Sequence, residues 1–376
     1  MAFINIGNIE KDQISIVVGC VFCLLNRILN YYSGSLILEN PIFMDIIIFF
    51  SYLFTIIPLI IYKIRSESKT SFSIENTIEN KYSLLYQEDK FENINGKKRL
   101  IFLSSVLFFT QSIIFVITIK LKTNVWIVEI LFSSLFYFLI FKKKLYKHHY
   151  LSIVLIIIIG MIIDLYLGNL QDNISDNILL FLLRFLRELL TSLNDVLDKY
   201  IIEKKFGSIY EIIFSFGFIN IILVSIFEVL DYYFFSFDNL KKYFTNFNGT
   251  ELLVIFGVMI TQLGLCITIL MTNKNYTPCH IFIIIIFGQF GQYINFSGIS
   301  IIVIICLIFI LFFALIFNEI IEINVLGLSD NTKKNIRNRA DIETKENIFI
   351  PKTDTIDSDS EKNEEIIELE SNLVNH

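Results

Sequence analysis

A charged stretch lies between long apolar segments at residues 184–200, with the sequence RFLRELLTSLNDVLDKY. If this stretch is a helix, successive side chains advance by about 100°, so residues three, four and seven apart share one face. Guanidinium groups bind phosphate and carboxylate through paired hydrogen bonds, so such a face favours binding of an anionic or strongly polar solute. The residues that fall on it, called the polar stripe below, are Arg184, Arg187, Glu188, Thr191, Asp195, Asp198 and Lys199.

The polar stripe fits three environments: the membrane surface, a structural seam between helices, or the wall of an aqueous cavity. A helix on the membrane surface would leave an odd number of membrane crossings and separate the two termini, against the distribution of basic residues between loops. Ionisable side chains inside spans cost about 2.5–3.5 kcal/mol each, and those that occur usually face a bundle interior or a pathway. The sequence therefore favours a cavity, with the seam as the main alternative.

Other polar residues are expected at the same membrane depth as the stripe. Counted at about 1.5 Å per residue, Arg27 and Glu129 fall in the layer of Arg184, Arg187 and Glu188. Three arginines against two glutamates leave one positive charge in surplus, which suits an anionic substrate; alternatively, Arg27–Glu129 and Arg184–Glu188 are internal ion pairs. The predicted substrate-binding or coupling residues are Arg27, Glu129, Arg184, Arg187, Glu188, Gln262 and Gln289, which Asn26 and Asn30 could join.

Three other positions receive separate expectations. Glu129 could carry a coupling proton. Asp45 lies near the end of an apolar segment, where solvent is expected to reach it. Gly288 lies in the sequence FGQFGQY, where close helix packing is expected rather than a phosphate cradle, because no phosphate-loop pattern surrounds it.

The composition places these residues in a membrane protein. The chain has 376 residues, of which 54% are hydrophobic and only 18% are charged, and its net charge is −6. About 20 apolar residues cross a bilayer as a helix, because every backbone group must then be bonded internally. The sequence predicts an all-α polytopic protein with about ten transmembrane helices, at residues 13–34, 41–62, 100–119, 123–141, 149–168, 177–201, 208–230, 251–272, 278–295 and 298–318.

Basic residues are concentrated in alternate loops. Lysines and arginines follow the second, fourth, sixth, eighth and tenth segments, which by the positive-inside rule places those loops and both termini in the cytosol. Two glycosylation sequons, at Asn173 and Asn248, fall in the opposite loops. The expected location is an endomembrane: Golgi, ER or vacuole.

The ten segments divide into two halves of five. The first half is residues 1–170, with a cytosolic loop at 63–98, the second is residues 171–320, and residues 321–376 form a cytosolic, largely disordered tail. Because five is odd, the halves would enter the membrane in opposite directions. Such an inverted repeat places a substrate site at the interface of the halves, near the middle of the membrane.

The polar sixth segment and its continuation, DKYIIEKKFGSIYEIIFSFGFINIIL, resemble the drug/metabolite transporter superfamily, with its EamA-like and nucleotide-sugar carriers. The resemblance covers roughly residues 13–318, including Tyr210, Glu211 and Gly217 at the start of the seventh segment. It implies a secondary transporter that works by alternating access, with a nucleotide sugar as the leading substrate. Other organic anions, amino acids, thiamine-like compounds and drugs remain open.

Other functions find less support in the sequence. The cysteines and histidines show no metal or cofactor spacing, nothing suits nucleic acid, and no catalytic group gathers at one membrane face, so an enzyme is not expected. The rival is a membrane sensor or scaffold that acts through its cytosolic tail without transport. The expected partners are a small-molecule substrate and the lipid bilayer, and a homodimer stays open.

Overall fold

The computed structural model describes residues 4–6, 14–32, 41–73, 96–118, 128–142, 145–166, 178–235, 249–294, 301–317 and 321–323. These residues belong to one compact unit, Met1–Leu328. The predicted tail after residue 328, most of the 63–98 loop, Asn173 and Asn248 lie outside the described residues. The helices are α1 (Ile14–Tyr32), α2 (Pro41–Leu53), α3 (Ile56–Ser73), α4 (Lys97–Thr118), α5 (Val128–Phe141), α6 (Lys147–Tyr166), α7 (Ile178–Lys204), α8 (Ile209–Phe235), α9 (Gly249–Asn275), α10 (Ile281–Ile294) and α11 (Ile301–Phe317), with a 3₁₀ turn at Pro278–His280 before α10.

The described part of the chain is helical at each of the ten predicted segments. The second segment is formed by α2 and α3 together. Four stretches are long and apolar enough to cross a membrane by length and composition: Met44–Ile64, Lys97–Thr118, Ile209–Phe227 and Glu251–Asn275. Shorter apolar helices make up most of the remainder, while α7 carries the polar stripe.

Polar side chains of the helices are buried and apolar side chains are exposed, which is the arrangement expected in lipid and not in water. On α4, Ser104 is fully buried and Gln111 is buried, whereas Phe102 keeps 54% of its surface exposed and Leu103 is also exposed. A soluble helix would place these groups the other way round, because exposed apolar area costs free energy in water. The same inversion holds for α1, α7 and α9, so the surroundings of this helical unit are apolar.

The bend between α2 and α3 has an identifiable cause. Pro58 has no N–H and cannot continue the α-helical hydrogen bonds across the bend. The amides of Phe54 and Thr55 bond to carbonyls three residues back, at 3.2 and 3.1 Å, which tightens this turn. The hydroxyls of Ser51 and Thr55 bond to further backbone carbonyls at 2.6 Å. The second apolar segment is therefore one bent element.

Each long helix packs against particular neighbours. Helix α1 lies against α9 and α10, and α7 lies against α4 and α5. Helix α2 packs on α8, α6 packs on α11, and α8 and α9 also contact α4 and α2 respectively. Two apolar clusters fill the interior, one centred on α1, α6, α10 and α11 and the other on α2, α4, α7 and α8. Helices α1 and α7, which carry buried polar side chains, thus each pack mainly against two other helices.

Two short strands join the ends of the helical unit. Strand β1 (Ile4–Ile6) precedes α1, strand β2 (Ile321–Ile323) follows α11, and they pair antiparallel with Asn5 opposite Glu322. Since the strands lie close in sequence to the first and last helices, the start of α1 and the end of α11 are at the same end of the unit. This pair is the one departure from the predicted all-α fold in the described residues.

Replacement of Gly217 tests the contact between α2 and α8. A Cβ at Gly217 would lie 2.7 Å from the carbonyl oxygen of Phe49 and 3.1 Å from the amide nitrogen of Leu53, so the two backbones would have to separate. We expect Gly217→Ala to lower the free energy of unfolding by about 1–3 kcal/mol, the usual cost of overpacking. Thermal unfolding of the purified protein in detergent measures the change. The control is Gly249→Ala, since a Cβ at Gly249 meets nothing within 4 Å; equal melting temperatures for the two variants would contradict the prediction.

Candidate functional site

Helix α7 is enclosed by other elements on several sides. It contacts α4, α5, α9 and the 3₁₀ turn, and the polar stripe faces these elements. Within the stripe, Glu188, Asp198 and Lys199 are buried, whereas Arg187 and Asp195 remain partly accessible. This arrangement disagrees with a helix lying on the membrane surface. Both other environments occur: part of the stripe is a seam, and part faces accessible space.

Arg187 is the cation at the centre of the stripe. Its Nη1 lies 3.2 Å from Oε1 of Glu188, and its guanidinium stands over the ring of Phe115, 4.9 Å from the ring centre. The positive charge of Arg187 also acts on the carboxyl groups of Asp45 on α2 and Glu129 on α5. A guanidinium on an aromatic face keeps its N–H edge free for a planar anion. Arg187 therefore links three helices electrostatically while remaining partly accessible.

The predicted ion pairs differ from the observed contacts. Glu188 pairs with Arg187, and Arg184 donates from Nη1 to the carbonyl oxygen of Thr118 at 3.4 Å. The charges acting on Glu129 are Glu188, Asp195 and Arg187, so Glu129 belongs to the α7 group and not to Arg27 on α1. Among the described residues, the observed ion pair of Glu188 is with Arg187, and Glu129 lies among the charges of α7.

The charge balance of the site also differs from the expectation. Asp45 lies close enough to Arg187 for their charges to interact, and part of its surface remains accessible. Asp195 adds a further carboxylate beside Glu129. Four carboxyl groups, Asp45, Glu129, Glu188 and Asp195, thus lie around Arg187, in contrast to the predicted positive surplus. The α7 side of the bundle is acidic around a single central guanidinium.

A network of amides connects α1, α9 and α2. Asn26 donates from Nδ2 to Oε1 of Gln262 at 2.7 Å, and Thr261 donates to Oδ1 of Asn26 at 3.2 Å. Gln262 reaches the hydroxyl of Tyr52 at 3.4 Å. The predicted residues Asn26 and Gln262 are therefore brought together. Gln289 lies on α10, and its side chain is outside those that the structure describes.

Arg27 has a different environment from the arginines of α7. It lies on α1 against α10, where a Cβ at Gly288 would be 3.5 Å from its Nε and 3.6 Å from its Cγ. The nearest atom to that Cβ would be Sγ of Cys23, at 2.6 Å, so Gly288 allows α1 and α10 to pack closely, as expected. Within the described part of the chain, Arg27 forms no ion pair, and its side chain is only half-buried. It is a cation inside an apolar bundle whose charge is not balanced by a neighbouring carboxylate.

Partial accessibility locates internal space along the stripe. Asp195 and Asp45 are surrounded by protein yet retain accessible surface. Thr191, which lies between Arg187 and Asp195 on the same face, is also partly accessible and bonds to Oε1 of Gln111 at 3.2 Å. The partly accessible polar side chains thus lie on α7, α2 and α4, where the sequence predicts a cavity wall.

At the C-terminal end of the stripe, direct hydrogen bonds connect α7 to α9. Lys199 is buried and donates to the carbonyl oxygen of Asn273 at 2.8 Å, close to the C-terminus of α9, where the helix dipole favours a cation. Its Nζ also lies 2.6 Å from Glu203. Asn273 returns a bond of 2.6 Å from Nδ2 to the carbonyl oxygen of Asp195. These contacts fix α7 to α9 and form the seam.

Three histidines also gather, which the sequence did not indicate. The rings of His148 and His149 are 4.1 Å apart, and His280 lies 6.2 Å from His149, with Phe317 against both His149 and His280. Among the residues that the structure describes, no group of three or more His, Cys, Asp or Glu side chains could hold a metal ion. The cluster joins α6, the 3₁₀ turn and α11 through ring packing.

Cysteine substitution on α7 tests whether the stripe faces water. In a Cys306→Ala background, we expect Asp195→Cys to react with a small charged methanethiosulfonate, because Asp195 faces the cavity. Val196→Cys should not react, since Val196 is fully buried, and Leu186→Cys should not react, since Leu186 is exposed on the apolar outer face. Reaction rates in native membranes, followed by a mass tag, measure the difference. A protected Asp195→Cys would contradict the cavity.

No protein-family model matches the chain, and no curated protein matches it. What the chain does has to be inferred from the geometry of these polar groups.

Proposed function

We propose that this chain is a secondary transporter that moves a small polar or anionic organic solute by alternating access. The observation that carries the proposal is Arg27, a guanidinium inside an apolar helical unit that has no carboxylate partner in the described residues. Holding such a charge away from water costs several kcal/mol, and an anionic ligand would offset that cost. A purely structural arginine would be expected to have a fixed carboxylate partner.

The helix contacts support two five-helix halves related by inversion. The first helix of one half, α1, packs between the third and fourth segments of the other, α9 and α10; likewise α7 packs between α4 and α5. The second segments pair with each other, α2 with α8, and the fifth segments pair as α6 with α11. This reciprocal pairing is what a two-fold relation between two repeats produces. It supports a two-fold relation in which each helix of one half corresponds to one helix of the other half.

The ends of the chain support an even number of crossings. Pairing of β1 with β2 holds the start of α1 and the end of α11 at one end of the helical unit. Ten crossings satisfy this condition, and the basic residues of the alternate loops assign that end to the cytosol. Residence in an endomembrane belongs to the same proposal.

The side chains near the cavity suit a phosphate-bearing or carboxylate-bearing solute with hydrogen-bonding groups. Arg27 provides a guanidinium for the anionic part. Gln262, which Asn26 holds in place, provides an amide group, and Tyr52 provides a hydroxyl at the same junction of α1, α9 and α2. A nucleotide sugar combines these chemical features and is the leading candidate. Other organic anions, amino acids, thiamine-like compounds and drugs are the alternatives that a substrate screen must include.

The position of α1 and α7 indicates how access would alternate. Each of these helices carries site residues and packs against helices of the opposite half in the proposed arrangement. Rocking one half against the other would move α1 relative to its own half and open the cavity on one side at a time. Arg27 and Arg187 would then contact the solute from both halves.

Uptake into proteoliposomes tests the proposal. Vesicles preloaded with nucleoside monophosphates would be offered labelled nucleotide sugars, other organic anions and amino acids. We expect uptake of an anionic solute and its loss in Arg27→Ala, because a charge-assisted hydrogen bond contributes about 1.5–3 kcal/mol, or about a 10- to 150-fold loss of affinity. Arg27→Lys should retain partial uptake.

The matched control for this experiment is Arg99→Ala, an exposed arginine at the start of α4. It should transport as the unmodified protein does. Equal loss in both alanine variants would remove Arg27 from the site. Absence of uptake for every solute class by folded protein would contradict transport and favour a sensor or scaffold that acts through residues 329–376.

A further inference from the structure

A closed arrangement of three polar side chains lies between α4 and α7. Asp198 is only 2% exposed, and its Oδ1 is within hydrogen-bond distance of the Ser104 hydroxyl. The same hydroxyl oxygen is 3.0 Å from Oδ1 of Asn194, and Nδ2 of Asn194 is 3.4 Å from Oδ2 of Asp198. Ser104, Asn194 and Asp198 are called the Asp198 ring below.

Counting protons shows what this ring requires. A serine hydroxyl carries one hydrogen, so Ser104 can donate to Asn194 or to Asp198 but not to both. If Asp198 is protonated, every contact has a donor: Asp198 donates to Ser104, Ser104 donates to Asn194, and Asn194 donates to the other carboxyl oxygen. If Asp198 is ionised, one contact lacks a hydrogen. Reversing the Asn194 amide supplies it but places the amide oxygen 3.4 Å from the carboxylate.

The charges around Asp198 also favour its protonated form. Among the described residues, no cation contacts it: Lys199 is held by Asn273 and Glu203, and Lys97 pairs with Glu211 at 2.6 Å. The ionisable groups that face it are Asp195 from α7 itself and Cys266 from α9, with Tyr52 of α2 beyond Cys266; α4 contributes the uncharged Ser104. On α5 the acidic group is Glu129, which acts on Asp195. An ionised carboxyl group here would be buried without a counter-charge.

We propose that Asp198 is a proton-binding site and that the proton is the coupling ion of the transporter. This inference rests on the proposed transport function. Asp195 lies one turn from Asp198 on the same face and is partly accessible, so it connects the closed ring with accessible space. Beyond Asp195, Glu129 and Glu188 extend the row of carboxyl groups toward Arg187. A proton bound by Asp198 from one side of the membrane is released along this row to the other side, with no other change in bonding.

Asp198→Asn tests the inference because an amide reproduces the protonated ring. Its NH₂ group can donate to Ser104 and its oxygen can accept from Asn194, so folding and thermal stability should match those of the unmodified protein. In proteoliposomes, solute accumulation driven by a pH gradient should fall to background. Counterflow exchange of labelled for unlabelled solute needs no net proton movement and should persist. The control is Glu211→Gln, a change of the same kind in the Lys97 pair, which should leave both activities unchanged.

An infrared measurement keeps the inference testable without transport. The purified unmodified protein at neutral pH should show the carbonyl band of a protonated, buried carboxylic acid, and Asp198→Asn should lack it. Absence of that band from the unmodified protein would overturn the inference. So would gradient-driven accumulation by Asp198→Asn at the unmodified rate, and in that case the transport proposal would stand. If no protein transports but the band is present and lost in Asp198→Asn, proton binding stands and coupled transport falls.

Discussion

Burial of the polar stripe of α7 is the constraint on which most of the helical unit depends. Each of its polar side chains must find a partner inside the bundle, since lipid offers none. Helix α4 meets them with Ser104 and Gln111, α9 with Asn273, and α5 with the backbone carbonyl of Glu129, which accepts a 2.9 Å bond from Ser192. The same requirement turns the polar faces of α4 and α9 inward and leaves their apolar faces outside. Removal of one partner would leave an unsatisfied group in an apolar interior.

On helix α1, only one of two neighbouring polar residues has hydrogen-bond partners inside the bundle among the described residues. Asn26 is bonded on both sides, by Gln262 and by Thr261, and so holds α1 against α9. Arg27, the next residue, lies against Gly288 of α10 instead. A fully satisfied amide stabilises packing, whereas a charged group without a partner in the described residues favours occupancy by an anion. The two neighbouring residues therefore fit different roles.

The sequence predicted those features that depend on local periodicity. The apolar windows located the helices, and the 100° advance per residue placed Arg187, Asp195 and Asp198 on one face of α7. It could not predict contacts between helices, because distance along a helix gives depth in the membrane but not direction around the helix axis. Arg27 and Glu129 were matched by depth, yet Glu129 lies among the charges of α7. For the same reason, the position of Asp45 near a helix end did not predict that Arg187 of α7 acts on it.

A proton on Asp198 would also affect how α4 and α7 pack. The protonated ring supplies a donor for each of its three contacts, so loss of the proton removes one hydrogen bond from the interface of the two helices. If the stability of the α4–α7 interface depends on one proton, proton binding shifts the equilibrium between two arrangements of these helices. Arg187 lies on the same face of α7, about three turns from Asp198, and faces the cavity. Proton binding and solute binding would then act on the position of one helix, which is the physical requirement for coupling them.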